Sequence, residues 1–426
     1  MFQTSARGAE LAERMQAFLA DEVYRAERIH AEQVAEAGAT RRQPPVLEEL
    51  KQRAKQLGLW NLFLPHPEED HQPIANLDYA HIAELSGRSP HLAPEAINGS
   101  APDTGNMELL SLFGTAEQKQ QWLRPLMDGT MRSAYVMTEP QVASSDASNI
   151  ETSIVRDGDE WVVNGRKWWI SGVLRPQCEL LVLLGITDQS DEAPRHRRHS
   201  TVLIPRDTPG VRVVRELSVL GYEPFESHVE MVFEDVRIPV ENLLGEVGGG
   251  FAMSQARLGP GRIHHCMRMI GMAERALELM IDRVHGRSTF GVPLVDQGVV
   301  RDWIADSRME IDQARLYVLY TAHLMDTVGN KEAASQISGI KVVVPNMAAK
   351  VINRAMQAFG GAGLDGGVPL ARMYAEARIV RIADGPDEVH RRSLARTELR
   401  RFADAVTPRP HGLTAHLDQP SEERDD

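Results

Sequence analysis

The sequence predicts a mainly α-helical fold with one all-β domain inserted near its middle. Three observations carry this expectation. Apolar residues recur at three- and four-residue spacing up to about residue 130. From Ser133 to about Asn242 the chain turns rich in Val, Ile, Thr and Trp, with turn pairs between short runs. From Gly250 the helical spacing returns, in segments long enough for an antiparallel bundle. At 426 residues the chain exceeds the ~250–300 at which single cores stop growing. The division expected is an N-terminal helical domain over 1–132, a middle β domain over 133–242, a C-terminal helical bundle over 243–404 and a tail over 405–426. The tail carries prolines, many charges and few large apolar residues, a composition that predicts disorder.

In order along the chain, helices are expected at 8–37, 46–58, 76–86 and 116–126. Thr115 followed by Gln118 resembles a capping box opening the last of these. In the β region, Asp157-Gly158 and Asn164-Gly165 read as hairpin turns. They separate a strand at Glu160–Val163 from another at Lys167–Ser171. Further strands fit 179–186, 200–205, 211–217 and 227–234. The C-terminal helices expected are 250–285, 296–328, 332–359, 369–380 and 387–404.

Composition narrows the function. A net charge of −13, from 47 basic and 60 acidic side chains, argues against nucleic acid and against docking on anionic lipid. No apolar run reaches the ~20 residues that span a bilayer. The first residues carry Glu10, Glu13, Asp21 and Glu22, unlike a signal or transit peptide. Cys178 and Cys266 stand far apart and no metal-ligand spacing is present, so neither a metal nor a disulfide is expected, and a reducing, cytoplasmic setting is.

Five segments stand out in this frame. Tyr135-Val136-Met137-Thr138-Glu139-Pro140 leads to Ser144-Ser145-Asp146. Asn164-Gly165-Arg166-Lys167-Trp168-Trp169-Ile170-Ser171 follows. Then come Arg287-Ser288-Thr289-Phe290-Gly291-Val292-Pro293-Leu294 with Gln297, and Gln357-Ala358-Phe359-Gly360-Gly361-Ala362-Gly363. The last is Ile382-Ala383-Asp384-Gly385-Pro386-Asp387-Glu388-Val389-His390. Taken singly, each has a structural reading: a polar strand end, a hairpin with core tryptophans, a Gly/Pro break, a glycine C-cap and a helix N-cap at Asp384. Gly361 to Gly366 fits G-x-G-x-x-G. The segment before it, Met347 to Phe359, reads as a helix, which excludes a Rossmann turn.

Together, in this order and spacing, the five segments resemble the acyl-CoA dehydrogenase family over about 45–403, and in particular its branch of family members ten and eleven. The resemblance implies the fold: N-terminal helices, a middle β-barrel or sandwich and a C-terminal four-helix bundle. It implies FAD as cofactor. Tyr135, Thr138 and Ser145 would contact flavin and pyrophosphate, Trp169 would pack near the flavin, and Ser171 would bond it near N5. Arg287, Thr289, Phe290, Gln297, Gln357, Gly360 and Gly361 would hold the adenine half of an FAD bound in a neighbouring subunit. Arg262 and Ser145 would meet the substrate.

The catalytic base of the family falls on Asp384, where the family has Glu. Ala383, Pro386 and His390 depart from its Tyr, Thr and Gln. Gln141-Val142-Ala143 replaces a glycine-rich turn and lengthens it by one residue. Some members place the base just before the arginine at 262, but Gly261 and Gly259 offer no acceptor there. Asp387 and Glu388 remain alternative acids.

The implied reaction takes the α-proton of an acyl-CoA at Asp384 and its β-hydrogen as hydride to flavin N5, giving trans-2-enoyl-CoA. A buried carboxylate is raised in pKa until partner charges offset it, so activity is expected to depend on pH. Electron-transfer flavoprotein is the expected acceptor, and the shared site implies a homodimer or homotetramer. Three alternatives stay open. One is elimination or rearrangement of a 4-hydroxyacyl-CoA or its phosphorylated form, assisted by His264, His265 or His390. Another is a short acyl-CoA oxidase. The third is a helical scaffold that has lost its flavin.

Overall fold

The structure, a computed structural model, describes residues 2–68, 71–188, 190, 192–222 and 227–404; the tail over 405–426 lies outside them. The chain opens with helices α1 (Ala6–Phe18) and α2 (Tyr24–Ala37), joined without a break by a π-turn at Leu19–Val23. α3 (Pro45–Gln56), α4 (Asn76–Gly87), α5 (Ala93–Ala96) and α6 (Asp103–Phe113) follow. Next come α7 (Ala116–Gln118) and α8 (Arg124–Asp128), again joined by a π-turn. The expected capping box is present, with the Thr115 and Gln118 side chains each meeting the other's backbone N–H. The helix α6 was not expected; nine of its eleven residues are buried, so it shows no amphipathic period.

The middle strands are β1 (Arg132–Val136), β2 (Ser153–Asp157), β3 (Glu160–Ser171), β4 (Cys178–Ile186), β5 (His199–Pro205), β6 (Val211–Leu217), β7 (His228–Pro239) and β8 (Leu243–Leu244). They form one sheet in the order β6-β7-β3-β2-β4-β5-β8, with β1 added parallel to β4. The two-residue turn after Asp157 is a hairpin, pairing Asp157 with Glu160. The second expected hairpin, at Asn164-Gly165, is corrected: β3 runs straight through it. Gly165 is small for another reason. A Cβ there would lie 2.3 Å from Thr152 Oγ1, so glycine clears a neighbouring segment instead of making a turn.

The C-terminal helices are α9 (Gly250–His285), α10 (Gly298–Val328), α11 (Ala334–Phe359), α12 (Leu370–Val380) and α13 (Asp387–Asp404), with a small hairpin of β9 (Ser288–Thr289) and β10 (Val292–Pro293) between the first two. One core cluster draws on helices from both ends of the chain, and a second fills the inside of the sheet. Strand alternation divides β4 between them: Leu180 and Val182 join the helical core, Leu181 and Leu183 the sheet core. α4 and α9 touch backbone to backbone. A Cβ on Gly87 would lie 1.9 Å from the Arg268 carbonyl oxygen, and one on Gly271 1.8 Å from that of Glu84.

The seam between helices and sheet is polar. Buried Arg132 bonds Glu95 and Asn98, each at 2.7 Å. Asp103 accepts from the Ser133 N–H at 2.7 Å and from its hydroxyl at 2.6 Å. This fixes the start of β1 and aims Tyr135 at α9. Cys178 and Cys266 are both free and buried.

Candidate active site

Asp384 lies in the turn between α12 and α13 with φ 56°. That left-handed conformation suits Asp far better than long side chains, which gives a backbone reason for the shorter acid here. The helix that follows begins at Asp387, so Asp384 does not cap it. Asp387 is buried and spent on structure, accepting from Arg381 at 3.0 Å and Asn346 at 2.9 Å. Glu388 is exposed and faces Arg391. Of the three acids in this segment, Asp384 alone is aimed at α9.

Three elements hold the Asp384 turn. Arg262 Nε of α9 donates to the Asp384 carbonyl oxygen at 3.1 Å, and His390 Nε2 of α13 lies 3.2 Å from the same oxygen. Lys341 of α11, fully buried, donates to the carbonyls of Val380, Ala383 at 2.9 Å and Gly385 at 3.4 Å. The carboxylate faces His265, with Nε2 3.5 Å from Oδ2. Beside them, the Arg257 guanidinium covers the Tyr135 ring at 3.9 Å, while the Tyr135 hydroxyl meets Ser254 at 2.8 Å. Arg257 is tied to Asn106 at 3.2 Å.

Burial pushes the Asp384 carboxyl up, but the His265 ring and the charges of Arg257, Lys341 and Arg262 outweigh it and hold the group below its ordinary value. Partner charges therefore offset burial before any substrate arrives, and the acid is ionised at neutral pH. Burial, with Arg268 adding to it, pushes His264 and His265 down to about 3; burial likewise lowers His390 to about 4. Both rings on α9 are thus neutral in the fold but protonate near 6.5 in the unfolded chain.

The sign follows: between those values the unfolded state binds more protons, so stability is complete above pH ~6.5 and falls as pH drops. His264 and His265 together should remove roughly 3 kcal/mol per pH unit below 6.5, at 1.36 kcal/mol per group. Urea titrations between pH 7.5 and 5.5 check this; a midpoint that does not move would contradict it.

A second cluster sits where β1 leaves the sheet. Lys167, fully buried in β3, donates to Met137 O at 2.8 Å, Glu139 Oε1 at 2.9 Å and Leu184 O at 2.8 Å. Glu139 in turn accepts from the N–H groups of Glu151 and Thr152, each at 2.9 Å. The loop bearing Thr138 and Ser145 is therefore clamped at both ends. Its inner bonds come from Ser144, whose hydroxyl meets the Glu139 N–H at 2.9 Å; Ser145 stays exposed. Trp169 occupies a bulge with φ 55° and is 41% exposed. The Ser171 hydroxyl meets His228 Nδ1 at 2.9 Å.

The remaining sequence candidates gather at the far end of the bundle. Thr289 pairs with Val292 across a two-residue turn made by Phe290 and Gly291, both with positive φ. Phe290 is 99% exposed. Gln297 opens α10 and its carbonyl accepts from Val300 N at 3.0 Å. Arg283, one turn before Arg287, donates to Phe359 O at 3.3 Å and lies over that ring. This brings the Arg287 segment beside Gln357, Gly360 and Gly361. A Cβ on either glycine would meet nothing within 4 Å, so the backbone there is open to approach.

The sequence matches three family profiles: "Acyl-CoA dehydrogenase, N-terminal domain" over 6–130, "middle domain" over 134–236 and "C-terminal domain" over 248–399. It is 52% identical to "Probable acyl-CoA dehydrogenase FadE2" of Mycobacterium tuberculosis, across 95% of this chain and 100% of that protein.

The chain belongs to the acyl-CoA dehydrogenase family.

Acyl-CoA dehydrogenase family member 10 of Mus musculus is 54% identical over 88% of this chain, and family member 11 of Gallus gallus is 50% identical over 94%. The chain spans only 36% and 51% of those two proteins. A solved acyl-CoA dehydrogenase structure from Mycobacterium abscessus superposes with a TM-score of 0.90 at 47% identity, covering 94% of this chain and 100% of that one. As a member of this dehydrogenase family the chain is an oxidoreductase, and FAD is its cofactor.

The residues present fit that group. Trp169 offers a flat, exposed apolar ring beside the clamped loop, and the open backbone at Gly360 and Gly361 can approach phosphates. Arg268, Lys341 and Arg257 were not singled out from sequence, and His265 was named only as a helper for a 4-hydroxylated or phosphorylated substrate; all four surround Asp384. One signal was available: Arg262, His265 and Arg268 recur every three residues along α9, which places them on one helical face.

Proposed function

We propose that this dehydrogenase oxidises an acyl-CoA to the trans-2-enoyl-CoA, with Asp384 as the base. The observation that carries the reading is the state of Asp384: a partly buried carboxylate, ionised by its surroundings, in a turn held from α9, α11 and α13. Its free oxygen takes the α-proton and Asp384 becomes the neutral acid. The β-hydrogen leaves with its electron pair, and FAD, when bound, supplies the acceptor for that hydride. Arg262 orients the turn through the Asp384 carbonyl. Tyr135, under Arg257, forms a wall of the site. Thr138, Ser145, Trp169 and Ser171 would hold the flavin end of the cofactor.

Arg287, Thr289, Phe290, Gln297, Gln357, Gly360 and Gly361 are assigned to the FAD of a second subunit. Two features support this. Arg262 and the C-terminal end of α9 are separated by about 35 Å of helix at 1.5 Å per residue, too far for one dinucleotide to serve both. A bulky aromatic side chain with φ 50° and almost complete exposure, as at Phe290, is costly unless something receives it. The assembly would be a homodimer or homotetramer, and electron-transfer flavoprotein the electron acceptor.

Product analysis tests the reaction. One enoyl-CoA per electron pair delivered to an added acceptor supports it; acyl-CoA consumed without electron delivery opposes it. A second reading, elimination from a 4-hydroxyacyl-CoA or its phosphate ester, is favoured by Arg257, Arg262 and Lys341 converging on Asp384, since such a group is polar or anionic. Phosphate released with no electron acceptor present would favour it.

A further inference from the structure

The side chains behind Asp384 fix which nitrogen of His265 carries a proton. A guanidinium has five N–H donors and no acceptor. Arg268 Nη2 lies 3.2 Å from His265 Nδ1, so Nδ1 must be the acceptor. A neutral ring with Nδ1 as acceptor carries its hydrogen on Nε2. Nε2 is the nitrogen that faces Asp384 Oδ2 at 3.5 Å. Arg268 is itself immobilised: Nη1 donates to Gly99 O at 2.7 Å, and its backbone is pressed against Gly87 of α4.

We propose that Arg268 and His265 act as a positioning pair for Asp384, in which Arg268 locks the imidazole as its Nε2–H form and that N–H steers one carboxylate oxygen, leaving the other to face the substrate. The inference rests on Asp384 being the base. At 3.5 Å the contact is longer than an N–H···O hydrogen bond; catalytic hydrogen bonds often tighten only when substrate is bound. The device differs from a histidine that relays protons. With Nδ1 occupied by a permanent cation, the ring takes no second proton near neutral pH, so the proton removed from the substrate stays on Asp384 during the step. The other charged or titratable groups facing the pair and Asp384 are Arg257, Arg262, His264 and Cys266 from α9, Tyr79 from α4, Lys341 from α11, Tyr135 from β1 and His390 from α13.

The test uses the FAD-containing protein labelled with [15N]histidine, with the His265 signals identified by their loss in His265→Gln. The expected result is an unprotonated Nδ1 and a protonated Nε2, unchanged from pH 8 to pH 6. In Arg268→Met the ring should titrate closer to ordinary histidine values. In turnover, His265→Gln, which keeps an N–H donor, should stay within a few-fold of the parent. His265→Leu should lose ~10–100-fold in kcat, the size typical of removing an outer-shell partner, with KM little changed. A protonated Nδ1 in the parent protein, or equal kcat losses in the Gln and Leu variants, overturns the proposal. The tautomer is read on the unmutated protein, so a variant that fails to fold does not leave it open. If the tautomer is as expected while Asp384→Asn keeps full activity, the base assignment fails and the tautomer stands.

Discussion

Asp384→Asn is expected to lower the rate of the first oxidative turnover by about 10²- to 10⁴-fold, the usual contribution of a positioned general base, while leaving FAD bound. Asn has the same shape and shares the tolerance of Asp for a left-handed backbone, so the turn at φ 56° should survive. What disappears is the anion. The substitution also leaves three nearby cations, Arg257, Lys341 and Arg262, without the charge they surround, so modest destabilisation is expected beside the kinetic loss. Single-turnover kinetics under saturating acyl-CoA isolates the chemical step from binding. A loss below about tenfold, outside the range typical of general bases, would remove Asp384 from the role.

Lys341→Met is expected to destabilise the fold by about 3 kcal/mol and to cost activity as well. Its ammonium is fully buried and serves the carbonyls of Val380, Ala383 and Gly385. Without it, buried acceptors are left unsatisfied at about 1–3 kcal/mol each, partly offset because burying the lysine charge was itself costly. Those carbonyls belong to the turn that presents Asp384. The kinetic effect has a sign of its own: with one cation gone, the Asp384 carboxyl should rise toward its ordinary value, so any acid limb of activity should move to higher pH. Urea unfolding at pH 7.5 and a pH profile of kcat measure the two effects separately. Unchanged stability would mean that other donors replace Lys341.

Much of the fold was legible because its helices are amphipathic and its strands alternate. α9, α10 and α11 carry an apolar stripe over many turns, and their limits fall within a few residues of those expected. α6 was hidden for the opposite reason, being buried on nearly every side. Asn164-Gly165 misled because the dipeptide signals a turn by its conformational freedom, whereas Gly165 is required by a close neighbour that no local window contains.

The site divides in the same way. Asp384 and Arg262 lie in segments whose order and spacing mark the family, and they do meet. Lys341 and Arg268 act through the crossing of α11 with the 380–386 turn and of α9 with α4. Such roles depend on which helices touch, and one-dimensional spacing does not report that. The buried Glu139–Lys167 pair was visible as motif letters, but its function as a clamp emerged only with its four backbone partners: Met137, Leu184, Glu151 and Thr152.

The most direct measurement is an anaerobic visible spectrum of the purified protein, titrated with straight, branched and 4-hydroxylated acyl-CoAs in parallel with Asp384→Asn. Flavin absorbance that bleaches with one acyl class in the parent and persists in Asp384→Asn is the predicted result. Bleaching that is equally fast in both proteins, or a bound flavin that never bleaches while a 4-hydroxyacyl-CoA is consumed, would contradict oxidation through Asp384.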